Sequence, residues 1–347
     1  MGAIDVDRVR FSEERRRCAE LAAACDRLRA PVVIQWQGDY VRSRRELRSR
    51  GLLLTETIAP GAIRALREAK AALGLTWPVE LYQTSRYVDA NALMRYSNPP
   101  CIEVIGHYLA SLDALALIAL FGHELGHLLA QGPDSMTHHI RRRCSAAGID
   151  DSQASLACEL TADRFGLLAC RDLGAALRLE MISLAGLAGP AMTWDTDAYL
   201  DECRALVAEL LARREWTIGS SHPEHGVRAY AVWLFSESDV YREVTGQGSG
   251  SRPLAEIDAQ LAKLLPPFRE PRVAPKPAPA PATASTPPPT PPGPPIPRAP
   301  PPSAVPSLRA QLDYAMKDIR GKLSAMLAPA DPVRAHEGKP TGGRRTP

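Results

Sequence analysis

Apolar residues run almost unbroken from Leu112 to Ala130, and this continuity predicts one buried helix across the stretch. Elsewhere the apolar positions recur at intervals. Glu13 to about Arg29 carries Leu21, Leu28, Cys18 and Cys25 on one face, so it predicts a helix capped by Ser12 and ended by Pro31. Pro60 opens a second amphipathic helix over Ile63 to Leu73, with Gly74 stopping it and Ile63, Leu66, Ala69, Ala72 and Leu73 forming its buried stripe. Further helices are predicted over Ser152 to Cys170, Ala175 to Leu187 and Asp197 to Arg213, with a short one ending at Phe235. The arginine-rich Val41 to Arg50 reads as an exposed helix with a solvated charged face.

Three short segments predict strands: Val32 to Trp36, Val79 to Gln83, and Cys101 to Ile105 closed by Gly106. Strands followed by a long apolar helix suit a small sheet packed against helices, so the expected class is α+β and mostly helical. Near the C-terminus, Leu308, Leu312, Met316, Ile319, Leu323 and Leu327 recur at helical spacing with nothing local to bury against. This predicts an isolated amphipathic helix at 307–328.

Proline divides the chain. Of the 41 residues from Pro266 to Pro306, 19 are proline, a composition that cannot build a packed core and reads as an extended spacer or a partner-docking segment. The expected organisation is a helical N-terminal region (1–58), a central domain (59–240), a helical extension (241–265), the Pro-rich linker (266–306), the amphipathic helix and a tail (329–347). Charge follows the same division. Residues 266–347 hold 12 basic and 5 acidic side chains, which leaves 30 and 34 of the totals of 42 and 39 for the body. A body of net −4 argues against nucleic acid as a partner.

Seven cysteines, an odd number without a C-x-x-C pair, fit reduced thiols in the cytoplasm. Met1 to Arg10 has no apolar leader core, and the longest strictly apolar runs fall short of the roughly 18 residues a spanning helix needs. An aqueous protein without a membrane segment is therefore expected.

Chemistry concentrates in His123-Glu124-Leu125-Gly126-His127, near the end of the long apolar helix. Two histidines four residues apart share a helix face, which is the geometry of two zinc ligands, and a glutamate beside the first can take a proton from a water on the same metal. A hydrolytic site needs a third protein ligand. Glu159 leads the candidates because it lies on a separate predicted helix with Asp163 one turn further on. His138 and His139, adjacent and beside three arginines, read as surface residues.

Taken in order, His123 to His127, Glu159-Leu160-Thr161-Ala162-Asp163, and His222-Pro223 followed by Arg228 resemble the motifs of the M48 metallopeptidases, gluzincins of the HtpX and Ste24 type. Asp89-Ala90-Asn91-Ala92 and the strand Cys101 to Ile105 resemble that family's upstream Asn-Ala segment and edge strand. The resemblance covers roughly residues 60–235. It implies a zincin-type fold and a zinc endopeptidase with one Zn2+ per chain, held by His123, His127 and Glu159. By the same resemblance Glu124 is the general base, His222 stabilises the oxyanion, and Asp163 and Arg228 support the ligands. Asn91, Ile102, Glu103 and Val104 would bind an extended protein or peptide substrate by strand addition. The gap between His127 and Glu159 is shorter than in many members, and the membrane helices of the HtpX and Ste24 branches have no counterpart. A catalytically silent scaffold working through its Pro-rich tail is the competing expectation, and the intact Glu124 argues against it.

Overall fold

Helices α1 (Val6–Val9), α2 (Ser12–Arg27) and α3 (Gln37–Arg50) precede strand β1 (Leu52–Leu54) in the computed structural model. After α4 (Pro60–Ala72) come β2 (Glu80–Thr84), β3 (Asn91–Arg95), β4 (Cys101–Ile105) and the short α5 (Tyr108–Ser111). Then follow α6 (Ala114–Gln131), α7 (Met136–Ala147), α8 (Ser152–Cys170) and α9 (Leu173–Ala185). The last elements are α10 (Thr196–Arg213), α11 (His225–Ser236), α12 (Asp239–Thr245) and α13 (Leu254–Ala262). The structure describes residues 4–269, apart from 33–36, 86–90, 134, 187–192, 219–221 and 251. The expected amphipathic helix, the tail, nearly all of the Pro-rich linker, Asp89-Ala90 and most of the strand expected at Val32 to Trp36 lie outside those residues.

Local signals explain most helix ends. Asp113 accepts the Ala116 N–H at 2.8 Å at the start of α6, Pro60 occupies the first turn of α4, and Gly74, at φ 72°, follows its end. Helix α2 departs from expectation. Ser12 is its first residue and not its cap; Phe11 takes that position, with its N–H on Thr161 Oγ1 (3.1 Å), while Ser12 N–H reaches Asp258 Oδ2 (2.8 Å). Two N–H groups left open at the start of the helix are thus met by side chains distant in sequence.

The four described strands form one sheet in the order β1-β2-β4-β3, with β2 and β4 parallel and the other two pairs antiparallel. This corrects the reading of Cys101 to Ile105 as an edge: β4 is interior, paired on both sides and buried at every residue. A short apolar strand reads the same in sequence whether it lies inside a sheet or at its rim. Strand β3, unrecognised in the sequence, is the edge beside β4, and β1 is the opposite edge. Ile102 and Val104 join the main core, and by alternation Glu103 turns to the other face, where it meets Arg50 of α3. None of these three is therefore available to pair with an incoming peptide.

Helix α6 is the centre of the main core. By length and composition it is apolar enough to cross a membrane, yet 78% of it is buried inside the protein, covered by α4, α8, α9 and β3. Contact with α8 is close because glycine lies where the backbones meet. A Cβ on Gly122 would stand 2.4 Å from Ala169 Cβ, and one on Gly126 would stand 2.8 Å from Phe165 Cβ. Gly166 offers the reciprocal gap, 2.9 Å from the Ala119 carbonyl. The body also extends past Leu265: Pro266 O accepts from Arg17, Phe268 packs beside Cys18 and Leu21, and Arg269 N–H donates to Gln153 Oε1.

Candidate metal centre

The close α6–α8 contact carries the site. His123 and His127 project from one face of α6, and Glu159 projects from α8 toward them. Their Nε2 atoms are 3.1 Å apart, and each faces a Glu159 oxygen, at 3.4 Å from His123 and 3.5 Å from His127. One ligand atom from each of the three residues lies within 4.8 Å of the other two. This buried His-His-Glu cluster can coordinate a divalent metal ion. Glu159 Oε2 is buried without a hydrogen-bond donor among the described residues, which suits a ligand oxygen and is costly for an ordinary buried carboxylate.

The surrounding charges favour a cation. Burial opposes charge on His123, but Asp163 and Glu159 outweigh it and push its pKa up to about 10. The same two carboxylates would attract a metal ion. Burial likewise opposes the Glu159 charge, and the facing imidazoles of His127 and His123 nonetheless hold that carboxyl well below its usual range. Asp163 Oδ1 lies 2.8 Å from His123 Nδ1, which leaves Nε2 turned toward Glu159. Arg228 donates to both Asp163 oxygens, at 3.0 Å from Nε and 2.6 Å from Nη2. Asp163 and Arg228 thus stand behind the first histidine.

Glu124 is 3% exposed. The Met94 backbone N–H donates to its carboxylate, its Oε2 has no partner among the described residues, and burial pushes its pKa up. Glu124 and the three cluster residues open into a cleft of about 720 Å³ whose wall includes Asn91 to Met94 of the edge strand. Because Met94 turns its N–H away from β4, Ala92 does so too; the Ala92 N–H is taken by Asn91 Oδ1 at 2.8 Å. His222 also reaches the cleft, with its Nε2 3.6 Å from Glu159 Oε1 and its side chain about half exposed. Burial lowers its pKa more than Glu159 raises it, so its imidazole is neutral near pH 7.

Glu180 and His225 are among the cleft residues that went unrecognised in the sequence. Glu180 of α9, 3% exposed, accepts from His225 Nδ1 at 2.7 Å and faces Arg228 Nη2 at 3.3 Å. Asp163, Arg228, Glu180 and His225 therefore form one chain of contacts from behind the first histidine to the far cleft wall. His225 falls three residues before Arg228, the only hint in the sequence that it belongs there. Glu103 is absent from the cleft. His139 is exposed as expected, and His138 lies edge-on to Tyr96 at 5.1 Å. All seven cysteines are free and buried, and none joins the ligand cluster.

Compared with models of known protein families, with curated proteins and with solved structures, the chain matches none.

Proposed function

We propose that this protein is a zinc-dependent endopeptidase of the M48 type, acting on protein or peptide substrates in a reducing, cytoplasmic setting. The observation that carries the reading is the pairing of an open His-His-Glu cluster with Glu124, whose partnerless Oε2 shares the same cleft. An exposed edge strand beside the two adds a place for an extended chain.

His123, His127 and Glu159 would hold one zinc ion, which when bound supplies positive charge to polarise a carbonyl and acidify water. Glu124 Oε2 accepts the proton of the attacking water and passes it to the leaving amine; its raised pKa brings it nearer the working pH. His222, a neutral N–H donor at the mouth of the cleft, stabilises the oxyanion. Asp163 and Arg228 keep the His123 ring in its tautomer and orientation. The Pro-rich segment serves as a spacer, and residues 307–328 beyond it serve to meet a protein partner.

The test uses the full chain, zinc-loaded, and a reduced, carboxymethylated protein as substrate. Wild type is expected to cut it, and Glu124→Gln to lose at least about 10²-fold in rate at equal zinc content. Zinc-loaded wild type that cuts nothing would overturn the reading in favour of a silent scaffold.

A further inference from the structure

Helix α6 delivers a fourth polar side chain to the cleft, beyond Glu124 and the two histidines. Gln131 follows His127 by one turn on the same face, is 2% exposed, and lines the cleft. Its Nε2 has no hydrogen-bond partner among the described residues. A buried amide donor left open at a cavity wall is costly unless something in that cavity accepts from it.

What surrounds it defines the acceptor. Arg141 of α7 lines the same part of the cleft, with Nε on Asp151 Oδ2 at 2.7 Å and Nη2 on Ser155 Oγ at 3.0 Å. Ser155 lies one turn before Glu159 on α8 and also lines the cleft. Those two bonds use two of the five guanidinium donors, and the side chain is 37% exposed. Asp151 is the acidic side chain paired with this guanidinium; Glu124 and Glu159 stand further along at the metal cluster. The Ser155 hydroxyl donates to the Asp151 carbonyl at 3.4 Å and so holds the guanidinium in place, which leaves an amide N–H and a guanidinium as donors that suit a carboxylate.

We propose that Gln131 and Arg141, the latter oriented by Ser155, form a binding subsite for a substrate carboxylate, one helical turn from the metal ligands. The proposal rests on the peptidase reading for the identity of the substrate. It assigns the protein a preference for peptides with an acidic side chain, or a free C-terminus, at one fixed distance from the scissile bond.

The experiment measures binding to the full-length Glu124→Gln protein by fluorescence anisotropy. The probes are labelled alanine-based octapeptides with one Glu moved through the positions, matched Gln peptides, and each with a free or amidated C-terminus. Parallel assays follow cleavage of the same peptides by wild type. One Glu position, or the free C-terminus, is expected to bind about tenfold or more tighter than its neutral match. Gln131→Leu and Arg141→Met should each erase most of that difference. Gln131→Leu touches no ion pair, so it decides the matter where Arg141→Met fails to fold.

Peptides bound and cut without regard to charge would overturn the subsite and leave the peptidase reading standing. A preference that survives Gln131→Leu would do the same. Carboxylate-selective binding without cleavage by wild type would keep the subsite and remove the peptidase reading. No binding and no cleavage would remove both.

Discussion

Glu103 and Glu159 are both buried carboxylates, and their surroundings differ in one respect. Glu103, 0% exposed, is saturated: Arg50 donates twice, at 2.6 and 2.8 Å, Arg95 Nε at 2.8 Å and Thr84 Oγ1 at 2.9 Å. Glu159, 7% exposed, faces imidazole nitrogens at 3.4 to 3.6 Å and keeps one oxygen without a hydrogen bond. A carboxylate that holds a fold together has its lone pairs filled. One that waits for a ligand does not, and the protein tolerates the cost because the ligand offsets it.

That contrast is sharpest under mutation. Glu159→Gln should lower metal affinity by more than the roughly 10–100-fold that loss of an outer hydrogen-bond partner costs, because it removes a ligand oxygen. Metal content after dialysis against a weak chelator measures this, and full retention would move the third ligand elsewhere. His222→Phe comes next: the metal stays while turnover falls about 10²-fold, and unchanged turnover would make it a structural histidine.

Gly126→Ala tests the helix contact that brings the ligands together. Its new Cβ would stand 2.8 Å from Phe165 Cβ and 3.1 Å from Ala162 Cα, so α6 and α8 must part or distort. A stability loss of about 1–3 kcal/mol is expected together with weaker metal binding. A stability loss with metal binding intact would show that the site does not depend on this approach.

Glu103→Gln should spare metal content entirely and cost about 2 kcal/mol of stability, less than a fully buried pair because both arginines reach solvent. The pH dependence has a definite sign. Burial opposes the Glu103 charge, but Arg50, Arg95 and Thr84 more than offset it and hold the pKa below 4.5. Its contribution is therefore complete above pH 4.5 and is lost as pH falls through the lowered value. Denaturant melts of wild type and variant should converge in acid, and a gap that persists there would contradict the ion-pair account.

Sequence reading succeeded where one helix contains the whole signal. Ser152 to Cys170 was legible to both ends as α8, and α6 differs from its expected span by a residue or two. The close packing of the two rests on Gly122, Gly126 and Gly166, which no sequence expectation singled out. Sequence reading failed where a neighbour decides. Three leucines at 52–54 form β1 only because β2 is there to pair with them, and α7 was obscured by His138, His139 and three arginines. Arg44 and Arg50, read as a solvated face, pair with Glu80 and Glu103 on the sheet.

The sequence by itself determined the spacing of the candidate chemistry: two imidazoles one turn apart, a carboxylate beside the first, and another Glu and Asp one turn apart on a second helix. A helix repeats every 3.6 residues in any surroundings, so those relations survive folding. Only the tertiary structure decided which strand is the edge, which carboxylates are filled, and that Gln131, Glu180 and His225 reach the same cleft as the ligands. Hydrogen-bond saturation and edge position depend on partners in other elements, such as Arg50, 53 residues from Glu103, and no local pattern carries that information.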